Sequence, residues 1–113
     1  MPDRSRVIRL TDARAQIPGP GGERSVMVFR RGSLDVALGL PLSSSPQTPH
    51  EQDEIYFIIR GRGVLSHDGK RDQFESGDLL FVAAGTEHQI EDIADGLALW
   101  RVFYGPGGGE APA

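Results

Sequence analysis

The chain has no cysteine, which removes disulfides and thiolate metal sites together. A basic excess is missing as well: 12 lysines and arginines stand against 16 acidic residues, a net charge of -4, with a pI near 5.3. Phosphate backbones need a positive field, so no nucleic-acid partner is expected. Long apolar runs are also absent. None approaches the roughly 20 residues of a spanning helix, and the opening MPDRSRVIRL carries charges where a signal peptide would carry its apolar stretch. These features predict a cytoplasmic protein without membrane contact. Helical periodicity is scarce too. In its place, fifteen glycines and eight prolines punctuate short apolar runs in a chain of 113 residues, 38% of them hydrophobic. That pattern predicts one all-β domain, a sandwich or barrel.

The runs can be followed along the chain. A short strand is expected at 7–10, one helical turn in TDARAQ, and a loop in IPGPGG at 17–22. Strands follow at 25–30 (SVMVFR) and 34–40 (LDVALGL). PLSSSPQTP, 41–49, holds three prolines and three serines, which should prevent regular pairing. A strand at 55–59 leads to a bend at Gly61 and Gly63. Residues 64–67 and 71–74 form a hairpin closed by Asp68-Gly69, a strong two-residue turn signal. Further strands are expected at 79–83, 87–93 and 97–104, the last two separated by a turn at 94–96. GPGGGEAPA reads as a frayed tail. The organisation is therefore an N-terminal arm, 1–24, a barrel, 25–104, and a flexible tail, 105–113.

The candidate chemistry lies in TPHEQDEIYFIIRGRG, 48–63, where one of only three histidines precedes an acidic stretch and a strand. His50 and Glu54 have the parity of one strand face, but a straight strand would hold them roughly 13 Å apart. The backbone must bend at 51–53 for both to reach one ion. His88, after the turn AAGTE, offers a third group. Imidazole nitrogen and carboxylate oxygen suit zinc, iron, manganese or nickel. A surface imidazole beside carboxylates is the plainer reading of His50, and an exposed hairpin residue that of His67.

Two segments, TPHEQDEIYFIIRG and GDLLFVAAGTEH, resemble the paired motifs of the cupin superfamily. In the first, Glu54, IYFIIR and Gly61 match the family's glutamate, six residues and glycine. In the second, Gly77, Gly85 and His88 fall in place, with Ala83 where proline is usual and Asp92 where asparagine is. The likeness covers about residues 34–104. It implies a double-stranded β-helix, or jelly-roll barrel, binding a divalent metal inside, with His50, Glu54 and His88 as ligands. One histidine of the usual four ligands is missing. Thr48 or Gln52 stands in its place, depending on the alignment, as an auxiliary oxygen ligand or a holder of water. A two-histidine, one-carboxylate set with open positions serves non-heme iron oxygenases and hydrolytic zinc alike.

Parity places Tyr56 and Ile58 on Glu54's face, and Tyr56, Ile58 and Trp100 are expected to line the pocket; Arg101 is read as exposed. Strands such as IYFII and LLFVA are apolar on both faces, and a doubly apolar strand needs a second cover. A homodimer is the expected cover, with the N-terminal arm as the other. Two functions fit: a metal-dependent dioxygenase, isomerase or lyase acting on a small organic molecule, or a non-catalytic small-molecule-binding or sensor module.

Overall fold

A computed structural model describes residues 5–44, 46–47 and 49–112. One short helix, α1 (Leu10–Arg14), precedes seven strands: β1 (Ser25–Arg31), β2 (Leu34–Gly39), β3 (Pro46–Gln47), β4 (Asp53–His67), β5 (Lys70–Glu75), β6 (Leu79–Val82) and β7 (His88–Tyr104). All strand pairings are antiparallel. Residues 7–9 form no strand, and helix α1 begins at Leu10 instead. The arm packs against β1 and β2 rather than extending an edge of the sheet. Ala13 is buried, and the Arg6 guanidinium lies 4.8 Å from the centre of the Phe29 ring.

Strands β4 and β7 organise the barrel. The first half of β4 pairs with β6 and with the second half of β7, whereas its second half pairs with β5 and the first half of β7. Each long strand thus passes from one layer of the barrel to the other. The expected breaks at 61–63 and 94–96 are bulges within continuous strands, with register shifts between Ile58 and Val64. Gly61 has φ 83°, and a Cβ there would lie 2.7 Å from Leu97 Cα. Asp92, Asp95 and Gly96 on the partner strand also have positive φ. These turn-forming residues bend the strands by adding unpaired residues rather than by ending them. Asp92, where the motif carries asparagine, has φ 52°, a conformation that asparagine and aspartate enter most readily.

The hairpin at Asp68-Gly69 is as expected, both residues having positive φ, as a tight hairpin turn of this type requires. The proline-rich segment does pair: Pro46 and Gln47 lie opposite Gln89 and His88. Strand β3 is a two-residue edge, where a proline takes no hydrogen bond out of a central ladder. Residues 105–110, read as frayed, turn back onto the barrel. Gly108 N donates to Glu51 O (2.7 Å) and Glu110 N to Asp53 Oδ2 (2.9 Å).

The interior core comprises Tyr56, Ile58, Leu65, Phe74, Leu80, Val82, Ile90, Leu97 and Leu99. Each such large side chain contributes roughly 1.5–3 kcal/mol by leaving water. Among the described residues no helix is long and apolar enough to cross a membrane.

Candidate metal centre

Alternation along β4 turns Glu54, Tyr56 and Ile58 to one face. All three are at most 3% exposed, so this is the interior face. Their partners on β7 are Phe103, Arg101 and Leu99, which share that face because opposed residues in an antiparallel pair project together. On β6, Val82 and Leu80 complete the rows beside Glu54 and Tyr56. His50 precedes β4 across the bend at Glu51 and Gln52, the break in straight-strand geometry that a shared ion requires. His88 is the first residue of β7. The two halves are joined by Gly85 N, which donates to His50 O at 2.7 Å.

His50, Glu54 and His88 converge. One potential ligand atom from each lies within 4.8 Å of the others. His88 Nε2 is 3.1 Å from Glu54 Oε1, and the ring centroids of the two histidines are 6.0 Å apart. The His50 ring packs edge-on against Phe103, with centroids 4.5 Å apart. His50 is half-buried, its ring held against Phe103.

The protonation pattern of the cluster is constrained by Thr86. His88 Nδ1 lies 3.0 Å from Thr86 O, and a carbonyl only accepts, so the proton of the neutral ring is on Nδ1. Nε2 then presents a lone pair toward Glu54 Oε1 and toward the Tyr56 hydroxyl, 3.3 Å away. Glu54 is 1% exposed, and among the described residues its oxygens have no well-formed hydrogen bond; the His88 ring and the Tyr56 hydroxyl are the polar groups that face it. Two acceptors facing one another in a buried space repel unless a cation or a proton lies between them. Without a metal the cluster draws a proton: burial pushes the His88 pKa down, but the contacts with Glu54 and Thr86 outweigh it and the net shift is upward. A two-nitrogen, one-oxygen donor set held by a backbone carbonyl fits a borderline divalent ion.

The phenol of Tyr56 is pushed well above its ordinary pKa, by burial first and then by the Glu54 carboxylate, with Arg101 opposing. It remains a hydroxyl that hydrogen-bonds and never a base at neutral pH. Asp53, next to Glu54, is held below the ordinary carboxylate range by the amides of Glu110 and Ala84.

The other sequence candidates are spread more widely. Ile58 lies in the core, one alternation beyond Tyr56. Gln52 donates through Nε2 to Ser33 O (2.8 Å) and Gly105 O (3.0 Å), tying the β1–β2 turn to the end of β7. Thr48 lies outside the described residues. Trp100, expected in the pocket, is on the opposite face: it is in register with Phe57, which is 44% exposed. The same parity brings Arg101 inward. Alternation separates these two sets on β7, but strand register alone decides which of them meets Glu54's face, and it is the set with Arg101.

Residues 40–104 match the cupin domain family. The chain belongs to the cupin family. Among curated relatives, this cupin is 33% identical to an uncharacterized protein of Streptomyces coelicolor over 57% of its length and 61% of the relative's. It is 38% identical to an oxalate-binding protein of Thermotoga maritima, over 49% of its own length and 46% of that protein's. The chain thus spans about half the length of the curated relatives it matches. Solved structures extend the fold match over nearly the whole chain. A Rhizobium leguminosarum protein of unknown function superposes with TM-score 0.74 at 19% identity, covering 91% of this chain and 99% of that one. A cupin 2 conserved barrel domain protein of Salinispora arenicola gives 0.68 at 21% identity, covering 90% and 91%.

Proposed function

We propose that this cupin holds a divalent metal ion through His50, Glu54 and His88 and binds a small organic molecule beside it. The observation that carries the reading is Glu54: a carboxylate 1% exposed, without a well-formed hydrogen bond among the described residues, facing a histidine lone pair. A divalent ion, zinc, iron, manganese or nickel, removes that repulsion and satisfies all three groups at once. When bound, it would supply Lewis-acid polarisation of a ligand oxygen, with positions left open for that ligand. Around the cluster, Tyr56 donates a hydrogen bond and Phe103 braces His50. Of the interior groups beside the cluster, Tyr56 stays protonated and Asp53 is committed to backbone amides, so neither serves as a general base. This favours a binding module over an acid–base enzyme. The oxalate-binding relative agrees with small-molecule binding.

Elemental analysis of protein purified without added metal, and again after reconstitution, tests the reading. One ion per chain is expected in the native protein and near none in His88→Ala. No metal in either after reconstitution with all four ions defeats it.

The proposal includes a homodimer. Phe57, Leu79 and Phe81 are 44%, 54% and 51% exposed, and they adjoin on the outer face because Phe57 pairs with Leu79 and Ile55 with Phe81. This uncharged surface, on a chain of net charge -4, lets a second copy approach without like-charge contact. Sedimentation equilibrium is expected to give a dimer for the native chain and a monomer for Phe81→Glu.

A further inference from the structure

We infer that the cavity next to the cluster takes a small organic carboxylate, with its anionic end on Arg101 and its other end directed at His50, Glu54 and His88. The inference rests on the metal reading above for that second end only.

The interior is stacked in layers by the register of β4 and β7: Glu54 with Phe103, then Tyr56 with Arg101, then Ile58 with Leu99. A cavity of about 240 Å³ opens against the second and third layers, its lining including Tyr56, Arg101, Ile90 and Leu99 together with Arg24, Ser25 and Ser43; Tyr56, whose hydroxyl is 3.3 Å from His88 Nε2, links it to the cluster. Arg101 Nε is buried and has no hydrogen-bond partner among the described residues, and the guanidinium lies 5.1 Å from the centre of the Phe103 ring. Arginine does not shed its proton at any ordinary pH. Its charge persists in the barrel, and a buried cationic N–H without an acceptor is costly. Glu54, in the adjacent layer, is a candidate counter-ion, yet among the described residues no ion pair joins it to Arg101, and the group it faces is His88, 3.1 Å away. Among the described residues Arg101 and Glu54 therefore sit one layer apart with no ion pair between them: Glu54 faces His88, and the buried Nε of Arg101 is left for another partner.

The shape of the space narrows the partner of Arg101. A planar guanidinium fork matches a carboxylate through paired hydrogen bonds. Ala37, Ile90 and Leu99 add apolar wall to the cavity, which gains from methylene groups that inorganic phosphate does not have. Two residues of strand rise separate the layers by roughly 7 Å. A ligand reaching both ends therefore needs a few atoms between them, which a short dicarboxylate has and oxalate lacks.

Calorimetric titration with succinate as the probe, on zinc-loaded and on metal-free protein, tests this. Succinate is expected to bind the zinc-loaded native protein and to bind Arg101→Gln at least about tenfold more weakly, with zinc content unchanged. Arg101→Lys, which keeps the charge and loses the fork, is expected to fall between them and guards against a folding defect in the first variant. Inorganic phosphate is expected to bind at least about tenfold more weakly than succinate. Succinate binding that is absent, or equal in native and both variants, overturns the inference, as does phosphate binding as tightly as succinate. If the protein takes up no metal but succinate binding still depends on Arg101, the metal reading fails and the Arg101 anchor stands. If zinc is stoichiometric but succinate binding does not depend on Arg101, the anchor fails and the metal reading stands.

Discussion

His67 and His88 are opposite one another on β4 and β7, and each faces a carboxylate, but the two pairs belong to different physical regimes. At the hairpin, His67 Nε2 lies 2.7 Å from Asp72 Oδ2 and Nδ1 lies 3.2 Å from Asp68 Oδ2, with the aspartates 69% and 65% exposed. Both ring nitrogens are used, and water solvates the carboxylates. Inside the barrel, His88 and Glu54 are each 1% exposed in their side chains, and Thr86 takes the second ring nitrogen. The shorter, better-paired contact is the weaker contributor, because screening leaves an exposed ion pair worth little. The longer one involves unsolvated groups, so altering either member has a large effect. Burial, rather than residue type, separates a surface clasp from a site.

Replacing one partner of each pair should make the contrast measurable. The largest effect is expected from His88→Ala, which leaves the Glu54 carboxylate buried and unpaired: loss of bound metal, and a drop of about 3 kcal/mol in the metal-free unfolding free energy by urea titration. Glu54→Leu combined with His88→Leu should recover most of that stability without recovering metal, since apolar groups of similar size need no partner there. A single mutant as stable as the native chain would break the comparison. Tyr56→Phe is expected to act less strongly. It removes a hydroxyl that faces the Glu54 carboxylate and orients it without being a ligand, lowering metal affinity by about tenfold in competition with a chelator.

The smallest effect belongs to the surface pair. The hydrogen bonds of Asp72 and Asp68 raise the His67 pKa. A raised folded-state value contributes stability that is fully present below the ordinary histidine pKa and is lost as pH rises through the raised one. Asp72→Asn should therefore cost about 0.5 kcal/mol near pH 5.5 and nothing near pH 9. A cost that grows with pH would contradict the assignment.

Much of this molecule was legible from local signals. Alternating runs marked most strands, Asp68-Gly69 marked its hairpin, and the spacing of Glu54, Gly61, Gly77, Gly85 and His88 marked the barrel. Gly61, Gly63 and 94–96 misled, because the residues that end a strand are the ones that bulge it, and only pairing across β4 and β7 distinguishes the two outcomes. Pro46–Gln47 misled for a related reason, since proline excludes central strands but not an edge. Parity separates Arg101 from Trp100, but only the pairing with Tyr56 and Phe57 shows that Arg101 is the one turned inward.

By itself the sequence determined the all-β class, the side-chain alternation and the donors available to an ion, since each follows from residue chemistry and a two-residue period. Tertiary structure alone decided that His50, Glu54 and His88 meet, and that Arg101 rather than Trp100 turns inward. Those outcomes depend on the register between strands about forty residues apart, and register is fixed by long-range pairing that no short stretch of sequence encodes.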